Sequence, residues 1–349
     1  MWRDTPAQTL EYSKKFDQED GFFQATPLAT LAANLDVLRD LLDAPDAKRD
    51  FSPVHAMNRF NAPVRLPDAM RAEVEQLLVR VMEASGSSKV AIEEGLLRNL
   101  AFTASLDSLP IFERLLEYTR PRDQFTTKRR TWVIAGIALL AKRHRSREAA
   151  RHLEVMLRAN PDKRLRVAAV DAVARLWRTA DGELDADALS LLTAVARDDR
   201  DFEPRFAARG WMATMEADPI DPGEVEVLAF KATSARVPRT IEVLTTHTLV
   251  DLVSAVVSAF SWDHDHLWAL KLSAEFDQED FYVSPEGDPW EVDDGPAAAP
   301  LGALGMPVGH RFELIYNLVR RHRVALQRVA TAPSPKPRAK YPRVAAAAS

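Results

Sequence analysis

The tetrapeptide Asp263-His264-Asp265-His266 holds the residue types that could do metal chemistry. Carboxylates and imidazoles together suit Zn²⁺ or Mn²⁺. Neighbouring residues point in different directions on a helix and on a strand, so these four can hardly enclose an ion alone. Acids from residues 275–294 would have to complete such a site. A turn between a helix and a strand, with a packed imidazole, is the favoured interpretation.

Residues 275–294 carry nine acidic residues and no basic residue. Acidic runs of this kind can bind Ca²⁺, but this one lacks the alternating D-x-D-x-D-G pattern of a calcium loop. The segment is therefore expected to be a solvated acidic loop.

Residues 120–147 hold nine arginines and lysines against one acidic residue, Asp123. Such a stretch suits phosphate groups or an acidic protein partner. The alternative is an ordinary charged helix end, with Arg130 held by acid–arginine contacts inside the fold. The arginines taken as candidates for binding a partner lie here and in a second basic cluster near the C-terminal end: Arg129, Arg143, Arg145, Arg147, Arg320, Arg321 and Arg323.

Composition sets the class of protein. A chain of 349 residues is expected to form two or three domains, and 46% hydrophobic with 28% charged residues is typical of a globular chain. The absence of cysteine excludes disulfides, cysteine-bound zinc, iron–sulfur clusters and thiol catalysis. No phosphate-binding loop, dinucleotide fingerprint, G-x-S-x-G or H-E-x-x-H motif is present, so no catalytic residue and no cofactor is assigned.

The charge and the hydropathy pattern bear on partners and compartment. The net charge of −5 gives no global basic field for nucleic acid. The first 20 residues lack the apolar stretch of a signal peptide, and no uncharged apolar run approaches the length of a membrane span. We therefore expect a cytoplasmic protein with no membrane partner.

A helical pattern repeats through residues 68–217. Four basic residues, called anchors here, are each followed by apolar residues three, seven and ten or eleven positions later. This spacing places the apolar residues on one face of a helix, and the same face occurs four times. Each anchored helix has an amphipathic partner before it, at about 69–84, 108–118, 146–158 and 185–197. Paired helices that recur near 40 residues are typical of an α-solenoid. The anchors are Lys89, Arg130, Arg166 and Arg205.

These pairs resemble the HEAT repeat. The cleanest copy is DKRLRVAAVDAVARLW (162–177), with an acidic residue before the second helix and an arginine at its start. Asp201 before Arg205 repeats that order. The resemblance implies an all-α HEAT-like solenoid over 68–217, which follows a helical and irregular segment at 1–67 that includes an amphipathic helix at 27–43.

The period changes after residues 217–224, where two prolines and a glycine mark a domain boundary. Alternating apolar residues predict strands at 224–233, 237–244, 266–272, 310–318 and 322–329. Thr248 is expected to cap one helix that ends near Phe260. Residues 331–349 are rich in proline and basic residues and are predicted to be a disordered tail.

Residues 225–330 resemble the plasmid pRiA4b ORF-3-like family. The resemblance rests on Pro238-Arg239 before a strand, Thr248-Leu249 opening the helix, Ala259-Phe260-Ser261-Trp262 closing it, and Gly309-His310-Arg311-Phe312 leading into the last hairpin. Members usually continue with an acidic, glycine-bearing stretch, where this chain has Tyr316-Asn317-Leu318-Val319-Arg320-Arg321. The resemblance implies a small α/β (α+β) domain that has lost or inverted that loop.

The expected fold class is thus mixed, with an all-α solenoid and a small C-terminal α/β domain. The function that these features favour is a non-enzymatic interaction or scaffold protein that binds a protein partner on its solenoid surface. The alternative is a nucleic-acid-associated factor of a plasmid or mobile-element type. The second alternative is a metal-dependent hydrolase built on residues 263–266.

Overall fold

The helices and strands follow the periodicity of apolar residues. The first and last residues of these elements are known for part of the chain. The computed structural model describes residues 36, 39–40, 42–43, 68–85, 97, 100–101, 103–117, 125–177, 179, 183–215, 225–264, 266, 268–272, 297–317, 321–332 and 339–345. Most of the expected helix at 27–43, the boundary at 217–224 and the acidic segment 275–294 lie outside these residues. The side chains of 68–70, 84–85, 117 and 125–131 do as well.

Eight α-helices and six strands lie within the described residues, so the fold is mixed α+β. Seven helices come first and one lies between strands. The helices are α1 (Asp68–Ser85), α2 (Leu109–Glu117), α3 (Phe125–His144), α4 (Arg147–Ala159), α5 (Lys163–Leu176), α6 (Ala186–Asp198), α7 (Phe202–Thr214) and α8 (Leu249–Ala259). The strands are β1 (Val227–Ser234), β2 (Val237–Leu244), β3 (Trp268–Lys271), β4 (Arg311–Tyr316), β5 (His322–Ala332) and β6 (Arg343–Ala345). None of the described helices is long and apolar enough to cross a membrane.

The chain divides into two compact units, Met1–Glu154 and Val155–Ser349. In the first unit, α2 packs closely on α3 because Gly136 lets the Phe112 ring approach; a Cβ at Gly136 would lie 2.6 Å from that ring. The buried carboxylate of Glu75 on α1 accepts hydrogen bonds from the Ser105 amide at 2.7 Å and from the Ser108 hydroxyl at 2.5 Å. These contacts tie α1 to the start of α2 through a buried group whose oxygens are satisfied.

The second unit contains an antiparallel sheet in the order β3-β4-β5-β1-β2-β6. Alternation of apolar residues gives this sheet one buried face, on which Phe230 and Phe312 meet edge to face at 6.0 Å. Helix α8 packs against β2 and β6. Thr248 caps it as expected, in a capping box in which Thr248 and Asp251 bond each other's backbone amides.

Helix α7 and the sheet belong to the same compact unit. The ring of Phe202, the first residue of α7, lies 4.0 Å from the ring of His310, the residue before β4. Nη1 of Arg209 lies so close to Gly305 that a Cβ there would stand 1.7 Å away, and Gly305 also has a left-handed φ of +64°. Burial lowers the pKa of His310. This junction therefore packs α7 directly onto the loop that leads into the sheet.

Residues 331–332 and 343–345 of the tail that was expected to be disordered lie in strands. Strand β5 continues to Ala332, and residues 343–345 add β6 to the edge of β2. The reason is a long-range ion pair: Arg343 Nε donates to Glu242 Oε2 at 2.6 Å, and the guanidinium also lies over the Tyr341 ring. The basic residue that suggested disorder is used here to cover a sheet edge, which would otherwise expose unpaired backbone groups.

Deleting residues 339–349 should therefore destabilise the protein. We expect a loss of about 1–3 kcal/mol in the free energy of unfolding, because the deletion removes three paired residues and a partly buried ion pair. Chemical denaturation measures the change. Deletion of residues 346–349 alone is the control, and equal stability of the two truncated proteins would show that β6 contributes nothing.

Candidate interaction surfaces

Arg166 on the first turn of α5 is almost completely buried, with 1% of its surface exposed. Its Nε donates to Asp199 Oδ2 at 2.8 Å, and its Nη2 donates to Asp199 Oδ1 at 3.0 Å. Nη2 also donates to Asp201, and Nη1 donates to the carbonyl of Asn160 at 2.5 Å. The guanidinium thus joins the start of α5 to the turn between α6 and α7.

The charged groups of this cluster stabilise one another's ionised forms. Burial works against the charged form of Arg166, but its hydrogen bonds with Asp199 and Asp201 more than offset it and raise the pKa of the guanidinium. Burial also opposes the charge of Asp201, yet the hydrogen bond from Arg166 prevails and lowers the pKa of that carboxyl. Because folding lowers the pKa of this carboxyl, its ion pair stabilises the fold at pH values above the ordinary pKa of aspartate. That contribution is lost as the pH falls through the lowered value.

One contact of this cluster recurs on α7. Arg205, at the matching position of α7, donates through Nη1 to the carbonyl of Asp199, six residues earlier, as Arg166 does to Asn160. Two side-chain contacts join positions 40 residues apart on α5 and α7. They are Lys163 Nζ to Glu203 Oε1 at 2.7 Å and Trp211 Nε1 to Asp171 Oδ1, also at 2.7 Å. Both contacts join α5 directly to α7, between residues one position out of the Arg166–Arg205 register.

A groove of about 440 Å³ lies beside this cluster, between the end of α4 and helix α6. Leu157 and Val195 are buried in its floor, where Leu191 and Ala194 are half-buried. Exposed arginines stand at its edge: Arg158, Arg197 and Arg200. Arg197 is bonded to Asp198 at 2.9 Å through both Nε and Nη2. The groove therefore combines an apolar floor with a mainly basic rim.

Of the four arginines predicted from residues 120–147, the side chains of three are described. Arg143 is half-buried and donates to the carbonyl of Ala104 at 3.0 Å, and burial followed by nearby Arg71 lowers its pKa. It holds α3 against the segment before α2. Arg145, between α3 and α4, and Arg147, the first residue of α4, are exposed. The side chain of Arg129 lies outside the described residues.

The second basic cluster lies in the hairpin between β4 and β5. Arg321 is exposed, with a left-handed φ of 54°. Arg323 is also exposed and pairs with Glu313 across the two strands at 3.3 Å. Arg320 lies outside the described residues. Of the three arginines predicted in this cluster, Arg323 lies in a strand, β5.

The tetrapeptide at 263–266 lies where α8 turns toward β3. His264 Nε2 is 3.1 Å from the Ser258 hydroxyl, and the backbone carbonyl of Asp263 accepts a hydrogen bond from the Tyr316 hydroxyl. The ring of His266 meets that of Tyr316 edge to face at 5.8 Å. Asp265 is not among the described residues, and no group of three or more possible metal ligands occurs among those that are. The rings of His264 and His266 thus have different neighbours, Ser258 and Tyr316.

Sequence reasoning found Arg166 as a repeat anchor but missed its partners and the groove. Asp199 and Asp201 follow Arg166 by 33 and 35 residues, just under one repeat length, and that spacing was the available signal. The floor of the groove gave no signal because Leu191 and Ala194 belong to an ordinary amphipathic pattern.

Comparison with known proteins adds a partial likeness to a solved structure. No model of a protein family matches the chain, and no curated protein matches it. A solved structure with some similarity is that of MM3350, a protein of unknown function from Methanosarcina mazei Go1. The alignment covers 36% of this chain and 71% of that one, at 20% identity and a TM-score of 0.28. A likeness at that level carries no conclusion about fold or function.

Proposed function

We propose that this chain is a non-enzymatic interaction protein in which HEAT-like helix pairs bind a protein partner. The observation that carries the proposal is the buried Arg166, which joins one helix pair to the next through Asp199 and Asp201. In a repeat array each pair buries its apolar face only against its neighbours, so contacts that recur at the repeat spacing are expected.

The contacts at 40-residue spacing support the repeat interpretation independently of the sequence pattern. Two contacts join α5 to α7, the second helices of successive pairs. They are Lys163 with Glu203 and Trp211 with Asp171. Arg166 and Arg205 each donate to the carbonyl six residues earlier, so their local geometry is also shared. We therefore assign α4–α5 and α6–α7 to two consecutive repeats of a solenoid over residues 68–217.

The groove between α4 and α6 is the surface that we assign to the partner. Interfaces between proteins are enriched in arginine and bury apolar side chains at their centre. The half-exposed Leu191 and Ala194, surrounded by Arg158, Arg197 and Arg200, meet both conditions. Buried Arg166 fixes the backbone beneath the rim, so the groove exists before a partner binds.

The remaining assignments rest on the sequence. We propose that residues 225–330 form a degenerate pRiA4b ORF-3-like domain and that the protein acts in the cytoplasm. The capped helix at Thr248 and the flanking antiparallel strands are compatible with the first of these, and the lack of cysteine is compatible with the second.

The buried arginine can be tested by stability. Arg166→Ala should lower the free energy of unfolding by about 3–5 kcal/mol, because Asp199, whose side chain is 4% exposed, would lose its counterion. Urea denaturation measures the loss. Arg197→Ala is the matched control, because it removes an arginine from an exposed ion pair and should leave the midpoint unchanged. Equal midpoints for the two variants would mean that Arg166 does not join the helix pairs.

The interaction surface can be tested by comparative capture. Full-length protein, the groove variant Arg158→Glu/Arg197→Glu and the control Arg145→Glu/Arg147→Glu are each used to capture proteins from nuclease-treated host lysate. We expect at least one protein to be retained by the wild type and the control and lost from the groove variant, because charge reversal removes the basic rim. Titration of that purified protein against the three forms should show the same order of affinity.

Two results would contradict the proposal. If the three forms retain the same proteins, the groove is not the binding surface. If the wild type retains no protein above background, the chain is not an interaction protein of this kind. Equal melting temperatures of the three forms establish that any difference reflects binding.

A further inference from the structure

The strand register places basic side chains on the face of the sheet opposite the aromatic core. Lys231 on β1 lies opposite Gln327 on β5, which lies opposite Arg311 on β4. In the next row Lys271 on β3 lies opposite Glu313. Residues that are directly opposite in an antiparallel pair point to the same face, so these side chains share one surface.

The basic residues of this surface are accessible. Lys231 and Arg311 are exposed and Lys271 is half-buried. Within the described part of the chain, none of these three side chains has an ion pair or a hydrogen bond. The carboxylate of Glu313 is already paired with Arg323. Ile315 on β4 is buried, which limits the open surface to the rows around Arg311 and Glu313.

The neutral residues between the charges indicate the class of partner. Gln327, Thr233 and Ala325 lie among the basic residues and offer an amide, a hydroxyl and a methyl group. A protein partner would need an apolar pocket for an anchoring side chain. A phosphate backbone needs spaced cations and small polar neighbours instead. Strands are about 4.8 Å apart, so Lys231 and Arg311 stand about 10 Å apart, close enough for one strand of nucleic acid to reach both.

We propose that this basic sheet face, formed by Lys231, Lys271 and Arg311, binds the phosphodiester backbone of a nucleic acid strand without reading its base sequence. The inference goes beyond the protein-interaction function and does not depend on it, because the groove belongs to α4 and α6. Three cations that have no ion pair among the described residues predict modest affinity and a small salt dependence. For a single strand the slope of log K against log salt should be about −2.

Fluorescence anisotropy with a labelled oligothymidylate and the full-length protein tests the proposal. We expect a dissociation constant in the micromolar range at about 50 mM salt and weaker binding at about 200 mM.

Lys231→Glu/Arg311→Glu should raise the dissociation constant at least about tenfold and flatten the salt slope. The net-charge control Arg80→Glu/Arg114→Glu changes the charge equally at exposed sites on α1 and α2 and should leave the constant within about twofold of wild type. Arg145→Glu/Arg147→Glu is measured beside it as a competing site. Lys231→Gln/Arg311→Gln should give an intermediate loss, and circular dichroism checks that all variants are folded.

Four results would overturn the proposal. The first is no binding by the wild type at low salt. The second is an equal loss in Lys231→Glu/Arg311→Glu and Arg80→Glu/Arg114→Glu, which would make net charge the cause. The third is a loss confined to Arg145→Glu/Arg147→Glu, which would place the site on the helices. The fourth uses a synthetic peptide of residues 274–294: tighter binding of this acidic peptide than of the oligonucleotide, abolished by Lys231→Glu/Arg311→Glu, would make the partner an acidic protein segment.

Discussion

The buried guanidinium of Arg166 is the constraint on which the helical part of the second unit depends. A charge that is 1% exposed is costly unless its hydrogen bonds and its counterions are all in place. The carbonyl of Asn160 and the carboxylates of Asp199 and Asp201 supply them, and they come from two different turns of the chain. Because each partner must sit within hydrogen-bond distance, the turn before α5 and the turn before α7 hold one relative position. Arg200, one of the three arginines at the rim of the groove, lies on that second turn.

The two surfaces of this unit differ in a way that separates their partners. The groove has an apolar floor, so a partner can gain free energy there by burying a side chain, and the arginines around it select for acidic neighbours. The sheet face has cations separated by small polar residues, so binding there rests on charge and weakens with salt. Both surfaces lie within residues 155–349, where α7 packs on the loop before β4 through Phe202 and His310. One compact unit can thus present a protein-binding groove and a polyanion-binding face on separate elements.

Local patterns predicted the elements, and long-range contacts decided what the sequence could not show. The helices α4 and α6 and the strand β2 follow from apolar spacing, which neighbouring residues determine. Strand β6 was predicted to be disordered because three residues in a Pro-rich tail carry little signal, and the Glu242–Arg343 pair that holds them spans 101 residues. The basic sheet face was missed for a related reason. Lys231, Lys271 and Arg311 are far apart in sequence, and only the register of β1, β5, β4 and β3 brings them to one face.

A double-mutant cycle between Arg166 and Asp199 tests the central claim most directly. Arg166→Met, Asp199→Asn and the double variant are compared with the wild type by urea denaturation at neutral pH. Arg166→Met leaves the buried Asp199 carboxylate without a counterion, and Asp199→Asn removes one of the two carboxylates that pair with Arg166. If the buried pair joins the two helix pairs, the double variant is less destabilised than the two single changes combined. We expect a coupling energy of at least about 2 kcal/mol. Additive effects, within about 0.5 kcal/mol, would contradict the account.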